Sequence, residues 1–139
     1  MPAFSSKSAA ALATCDPRLQ RVFNAVVKSF DCTIVEGHRP VARQQALYAQ
    51  GRTAPGAVVT QIDGVRKKGQ HNYLPSKAVD AVPYPVNWSD AQRMHYFAGF
   101  VIGTAASMGI TLRWGGDWDR DTETADERFR DLPHFEVVG

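Results

Sequence analysis

The 139-residue sequence predicts an α+β fold, a small antiparallel sheet packed with helices. Two kinds of segment predict it. Leu19, Val22, Phe23, Val26, Val27 and Phe30 recur at helical spacing, and the stretch from Ser89 to Met108 carries a second apolar stripe, so two helices each have a face to bury. Between and after them lie four short apolar or β-branched runs, 32–36, 78–82, 110–114 and 134–138, each suited to a strand.

Taken in order, residues 8–13 are Ala-rich and read as a short helix. Asp16-Pro17 opens the next helix, with Asp16 as N-cap and Pro17 at the first helical position. Cys32–Glu36 is a strand that stops at Gly37. His38-Arg39 then leads into Pro40 and a helix from Val41 to Gln50, capped by Gly51. Residues 52–69 form a long loop with room for one short strand at Ala57–Thr60. Its basic cluster Arg66-Lys67-Lys68 is either the wall of a cleft or a solvated charge run.

Pro75-Ser76 marks a turn before the strand Ala78–Val82, which Pro83 ends and on which Ala78, Asp80 and Val82 share a face. Ser89-Asp90-Ala91-Gln92 reads as a capping box, with Met94, Phe97, Val101, Ala105 and Met108 as the buried stripe of the helix and Gly109 as its stop. His95 falls beside that stripe as a polar surface residue. Ile110–Trp114 is the next strand, with Trp114 in the core. The acid-rich segment 117–130 follows no period and lacks the sixth-place glycine of an EF-hand loop, so it is a loop and no calcium site is expected. In the last strand, His134 and Glu136 point one way and Phe135 and Val137 the other.

The length fits one domain, 1–139, with no repeat or appended module. With 44% apolar and 22% charged residues the composition is that of an ordinary globular protein, and a net charge of +2, mild and not clustered enough, gives no case for nucleic acid. The N-terminal residues lack the apolar run of a signal peptide, and no uncharged stretch is long enough to span a bilayer. A monomer, soluble in the cytoplasm where it is made and not inserted in membrane, is the expectation. Cys15 and Cys32 are expected as reduced, buried thiols.

The chemistry concentrates in two stretches, Gln70–Asp80 and Asp131–Glu136, which together supply two imidazoles and, in Asp80 and Asp131, two carboxylates near strand ends, with Glu136 as a third. That is the inventory of a catalytic Zn2+ site with three protein ligands, one open position and one carboxylate outside the metal's ligands to move a proton. His71, Asp80 and His134 are the candidate ligands and Asp131 the candidate base. Glu136, on the same strand face as His134, is placed to fix an imidazole tautomer. Arg39, at a strand-to-helix turn, can hold a carboxylate or a developing oxyanion, the alternative being a surface pair with Glu36. Trp118 is left open between substrate stacking and core.

The order of these residues resembles a known family. A His, a short loop, Ala-x-Asp and a late Asp-x-x-His are similar to the zinc peptidases of bacterial cell-wall peptides: D-alanyl-D-alanine carboxypeptidases and the L-alanyl-D-glutamate endopeptidases that phages use as endolysins. Glu36-Gly37-His38-Arg39-Pro40, Gln45–Thr53 and Arg113–Asp119 resemble the phage branch, so the likeness covers nearly the whole chain. Gly69 and Ser76 stand where the family more often has Ser or Thr and Gly, and the loop between the first two ligands is two residues longer.

The resemblance implies a hedgehog/D-Ala-D-Ala-peptidase-like fold and cleavage of the peptide part of peptidoglycan. Asp131, in the place where the carboxypeptidases have Glu, points to the endopeptidase. The alternatives are a D-alanyl-D-alanine carboxypeptidase and a non-catalytic zinc-stabilised binding domain. It further implies a phage lysis enzyme held in the host cytoplasm until a separate factor opens the membrane to the wall.

Overall fold

The computed structural model describes residues 2–139, and its architecture is the expected α+β one. The elements run α1 (Ser6–Leu12), α2 (Pro17–Val26), β1 (Cys32–Glu36), α3 (Val41–Ala49), a 3-10 turn (Gln70–Asn72), β2 (Ala78–Pro83), α4 (Ala91–Ser107), β3 (Leu112–Gly115) and β4 (Asp131–Val137). The four strands form one antiparallel sheet in the order β1-β2-β4-β3, so the two strands that carry the candidate ligands, β2 and β4, are the central pair.

One sheet face carries the core. Phe135, fully buried on β4, meets Phe23 of α2 and Phe97 of α4 edge-on at ring-centroid distances of 5.6 and 6.1 Å. Val79 and Ala81 of β2 and Cys32 and Ile34 of β1 join the same apolar cluster. The alternation of a pleated strand then turns Asp80, His134 and Glu136 to the opposite face. Trp114 is buried as expected, its indole N–H donating to the Leu132 carbonyl. Cys15 and Cys32 are buried free thiols, and burial pushes Cys32 up to about 12.

Several boundaries differ from the sequence expectation. Helix α2 stops at Val26 and not Phe30, and the Phe30 ring instead packs against Phe97 after the turn. The cap of α4 is Asp90, whose side chain accepts from the Arg93 amide, so the box expected at Ser89 does not form. Residues 57–60 are not a strand, Pro83 is the last residue of β2, and β4 begins at Asp131, ahead of the expected His134.

Asp16 caps α2 as expected, accepting from the Arg18 amide at 2.8 Å. Asp16→Ala is expected to lower stability by about 1 kcal/mol, measured by urea unfolding at neutral pH. The Arg18 guanidinium hydrogen-bonded to Asp16 holds its carboxyl below the ordinary value. A depressed carboxyl stabilises the fold above its unfolded-state pKa and loses that contribution as pH falls through the folded one. The difference between wild type and variant should therefore shrink in acid.

Candidate active site

On the sheet face away from the core lies an open cleft of ≈ 910 Å³. Its floor is β2 and β4; one wall is the β1-to-α3 turn with α3, another the loop before the 3-10 turn, and a third the segment around Trp118 and Phe129. The strand register sets the floor: Asp80 of β2 pairs directly with His134 of β4. The 3-10 turn Gln70–Asn72 then lowers His71 onto the same point, so that residues far apart in sequence converge.

The convergence is close. His71 Nε2 is 3.2 Å and His134 Nδ1 3.6 Å from Asp80 Oδ1, and one ligand atom from each of the three lies within 4.8 Å of the others. The outward nitrogen of each ring is already engaged: His71 Nδ1 with the Gly37 carbonyl at 2.8 Å, His134 Nε2 with Glu136 Oε1 at 2.7 Å. These contacts fix the rings with Nε2 of His71 and Nδ1 of His134 facing a common centre, the arrangement that metal-binding imidazoles adopt. Glu136 is itself held by Arg113 Nη1 at 3.4 Å and Gln70 Nε2 at 3.5 Å.

The electrostatics suit a cation. Burial works to raise the Asp80 carboxyl, but hydrogen bonds and charge from His134 and His71 outweigh it and hold it far below the usual carboxylate range. For His134, burial favours the neutral ring, yet Asp80 and Glu136 push its pKa up to about 9. The carboxylates gathered around the two rings mark a spot that favours positive charge. Two imidazole nitrogens, one carboxylate oxygen and an open side toward the cleft are the donor set of a four-coordinate metal with one exchangeable position.

Asp131 stands at the edge of this cluster, with Oδ2 3.8 Å from His134 Nδ1 and its side chain 37% exposed. Burial and the neighbouring Asp80 charge raise its pKa above the ordinary value, against the pull of His134, His71 and Arg39. Among the described residues, no hydrogen bond ties down its carboxylate. Its backbone is set by Gly115 of β3, which pairs with it at a bulge after Trp114. A Cβ on Gly115 would overlap the Asp131 carbonyl, so only glycine lets the two strands approach here.

Arg39 reaches the cleft with its charge largely committed. Nε and Nη2 bind the Glu36 carboxylate at 3.0 and 2.8 Å, Nη1 binds Gln44 Oε1 at 3.0 Å, and Nη2 lies 3.9 Å from Asp80 Oδ2. The pair with Glu36 is thus present, but inside the cleft wall and not on the open surface. Burial opposes the Arg39 charge, while Glu36, Asp80 and Asp131 hold its pKa above normal. Trp118 is half-buried: its ring stacks on Phe129 at 6.2 Å, stands 5.3 Å from His134, and its N–H donates to the Phe129 carbonyl. It walls the cleft and does not belong to the core. His95 is half-buried against Trp114, away from the cleft.

Two residues that sequence reasoning passed over organise the site. Gln44, 2% exposed, accepts from Arg39 and from the Asn72 amide and donates to the Ile62 carbonyl at 2.7 Å, joining α3, the Arg39 turn and the long loop. Asn72, next to His71, accepts from the Gly69 amide and donates to the Arg39 carbonyl. Neither carries a local signal, because a polar residue on an exposed-looking helix gives no hint that a distant loop will cover it.

Comparisons with known proteins place the chain among cell-wall peptidases by sequence and fold. A family model described as phage L-alanyl-D-glutamate peptidase matches residues 2–138. The chain is 33% identical over 122 residues to the peptidoglycan L-alanyl-D-glutamate endopeptidase CwlK of Bacillus subtilis, a match that takes in 82% of this chain and 65% of that protein. It is 27% identical over 143 residues to the L-alanyl-D-glutamate peptidase of Escherichia phage T5, covering 97% of each. The crystal structure of Serratia marcescens L-Ala D-Glu endopeptidase ChiX shares the fold, with a TM-score of 0.70 over 99% of this chain and 91% of that one at 24% identity. With the family model spanning nearly every residue, the chain belongs to the phage L-alanyl-D-glutamate peptidase family.

Proposed function

We propose that this chain hydrolyses the bond between L-alanine and D-glutamate in the peptides of bacterial peptidoglycan, as a single catalytic domain acting as a monomer with one Zn2+ held by His71, Asp80 and His134. The observation that carries the metal is the directed donor set: two ring nitrogens and Asp80 Oδ1 facing one centre, with the opposite ring nitrogens occupied. Zinc bound there would supply positive charge to polarise the scissile carbonyl and acidify a water.

The chain's own residues do the rest. Asp131, at the cleft edge with a raised pKa and no hydrogen bond to hold its carboxylate, accepts the proton of the attacking water and returns it to the leaving amine of D-glutamate. Arg39, held rigid by Glu36 and Gln44, keeps a fixed positive charge beside Asp80 that steadies the oxyanion side of the reaction. Glu136 keeps the His134 tautomer, and Trp118 with Phe129 shapes the wall against which the peptide lies.

The relatives' names favour this endopeptidase over removal of a terminal D-alanine. No helix among the described residues is long and apolar enough to cross a membrane. A phage lysis enzyme stored in the host cytoplasm and released to the wall fits the family. Purified wall incubated with the zinc-loaded protein should yield new N-terminal D-glutamyl groups while the glycan strands stay intact. Free D-alanine with no internal cut would move the activity to the carboxypeptidase, and tight zinc binding with no cleavage of any wall peptide would leave a binding domain.

A further inference from the structure

The cleft is electrostatically divided. Its centre gathers Glu36, Asp80, Asp131 and Glu136, while the side formed by α3 and the long loop carries Arg43, Lys67 and Lys68. Among the described residues, none of these three cations takes part in an ion pair. Arg39, by contrast, spends its donors on Glu36 and Gln44.

The loop that presents the two lysines is built as a fixed turn. Asp63 Oδ1 accepts from the amides of Val65, Arg66 and Lys67 at 2.9, 2.8 and 3.2 Å, and the Gly64 amide donates to the Lys67 carbonyl at 3.0 Å. Gly64, with φ +82°, packs against the Gln44 side chain so closely that a Cβ there would sit 3.0 Å from it. Gln44 also ties the preceding Ile62 carbonyl to the Arg39 wall. Lys68 Nζ lies 5.0 Å over the Tyr73 ring, which itself lines the cleft two residues after His71. The charge of Lys68 therefore rests over an aromatic face of the cleft, which it shares with Lys77 Nζ at 4.2 Å, and is not neutralised by a carboxylate.

The proposed substrate offers what these cations lack. Glutamate has two carboxyl groups and the peptide can continue through only one of them. The residue on the amine side of the cut therefore keeps a second carboxyl group outside the chain, a free carboxylate unless it is amidated, a few bonds from the leaving nitrogen. We propose that Arg43, Lys67 and Lys68 form the subsite that takes this free carboxylate and so selects D-glutamate over its uncharged amide at the position after the scissile bond. The inference rests on the activity proposed above and names the residues that give it specificity.

The test compares two synthetic wall peptides that differ only in this group, free carboxylate or carboxamide, with zinc-loaded wild type and the double variant Lys67→Gln/Lys68→Gln, alone and with Arg43→Gln. An exposed ion pair contributes up to about a factor of five, so wild type should favour the acid by on the order of tenfold in kcat/KM, mainly through KM. That ratio should fall toward one in the variants and, for wild type, in high salt, where such pairs are screened. Equal cleavage of both peptides by wild type, or an unchanged ratio in the variants, overturns the subsite. So does a rim whose loss weakens only adsorption to whole wall, which would make it a docking surface for the anionic polymer. Failure to cut either peptide would instead remove the activity itself, a separate outcome.

Discussion

His71→Ala, Asp80→Ala and His134→Ala are each expected to abolish stoichiometric zinc binding and, with it, hydrolysis of wall peptides. Each removes one of three donors that face a single centre, and with two left the site no longer encloses a cation. Glu136→Gln should be milder. It leaves all three donors but weakens the acceptor that orients His134, a change typically worth about 10–100-fold in metal affinity. The measurement is metal content after dialysis against a graded chelator series, read alongside folding by circular dichroism. A His71→Ala protein that still holds one equivalent of zinc at wild-type affinity would remove His71 from the ligand set.

Asp131→Asn separates catalysis from metal binding. The amide is nearly isosteric and lies outside the donor triad, so zinc content and fold should be retained, while general-base assistance worth about 10²–10⁴ in rate is lost. The loss should fall on kcat more than on KM, because Asp131 is assigned to proton transfer and not to holding the peptide. Near-normal turnover by the zinc-loaded variant would make Asp131 a bystander. The base would then have to be sought among Glu36 and Glu136, the remaining carboxylates that line the cleft outside the ligand set.

The contrast between these two experiments follows from where the carboxylates sit. Asp80 is flanked by both imidazoles and held far below the usual carboxylate range, as a permanent anion should be. Asp131 is pushed the other way by burial and by Asp80, toward a group that can take and return a proton. Two carboxylates whose environments separate their proton affinities are how one site divides structural from acid–base work.

Much of this was written locally in the chain. The alternation of β4 alone placed His134 and Glu136 on one face and Phe135 and Val137 on the other, because side chains of a strand alternate whatever the strand pairs with. Asp16-Pro17 marked the start of α2, and β1 and the start of α3 fell where β-branching and Pro40 put them. The candidate site residues could be named from motif order, since a His, an Asp and a late Asp-x-x-His keep their sequence whatever folds between them.

Other features were decided only by tertiary structure. At β1 the register slips between Ile34 and Glu36, so Glu36, not Val35, pairs with Asp80. This bulge carries Glu36 from the core face to the cleft, where it grips Arg39; strict alternation would have kept it on the side of Cys32 and Ile34. Asp90 displaced Ser89 as the cap of α4, a choice between adjacent good caps that no periodicity resolves. Gln44 became a buried link because the loop at Ile62 and Gly64 folded over it, and the lysines of that loop became a cleft wall for the same reason. Sequence determined which side chains each element could present, because that depends on local geometry. Tertiary structure decided which of them meet, because that depends on register, bulges and loop closure between segments far apart in the chain.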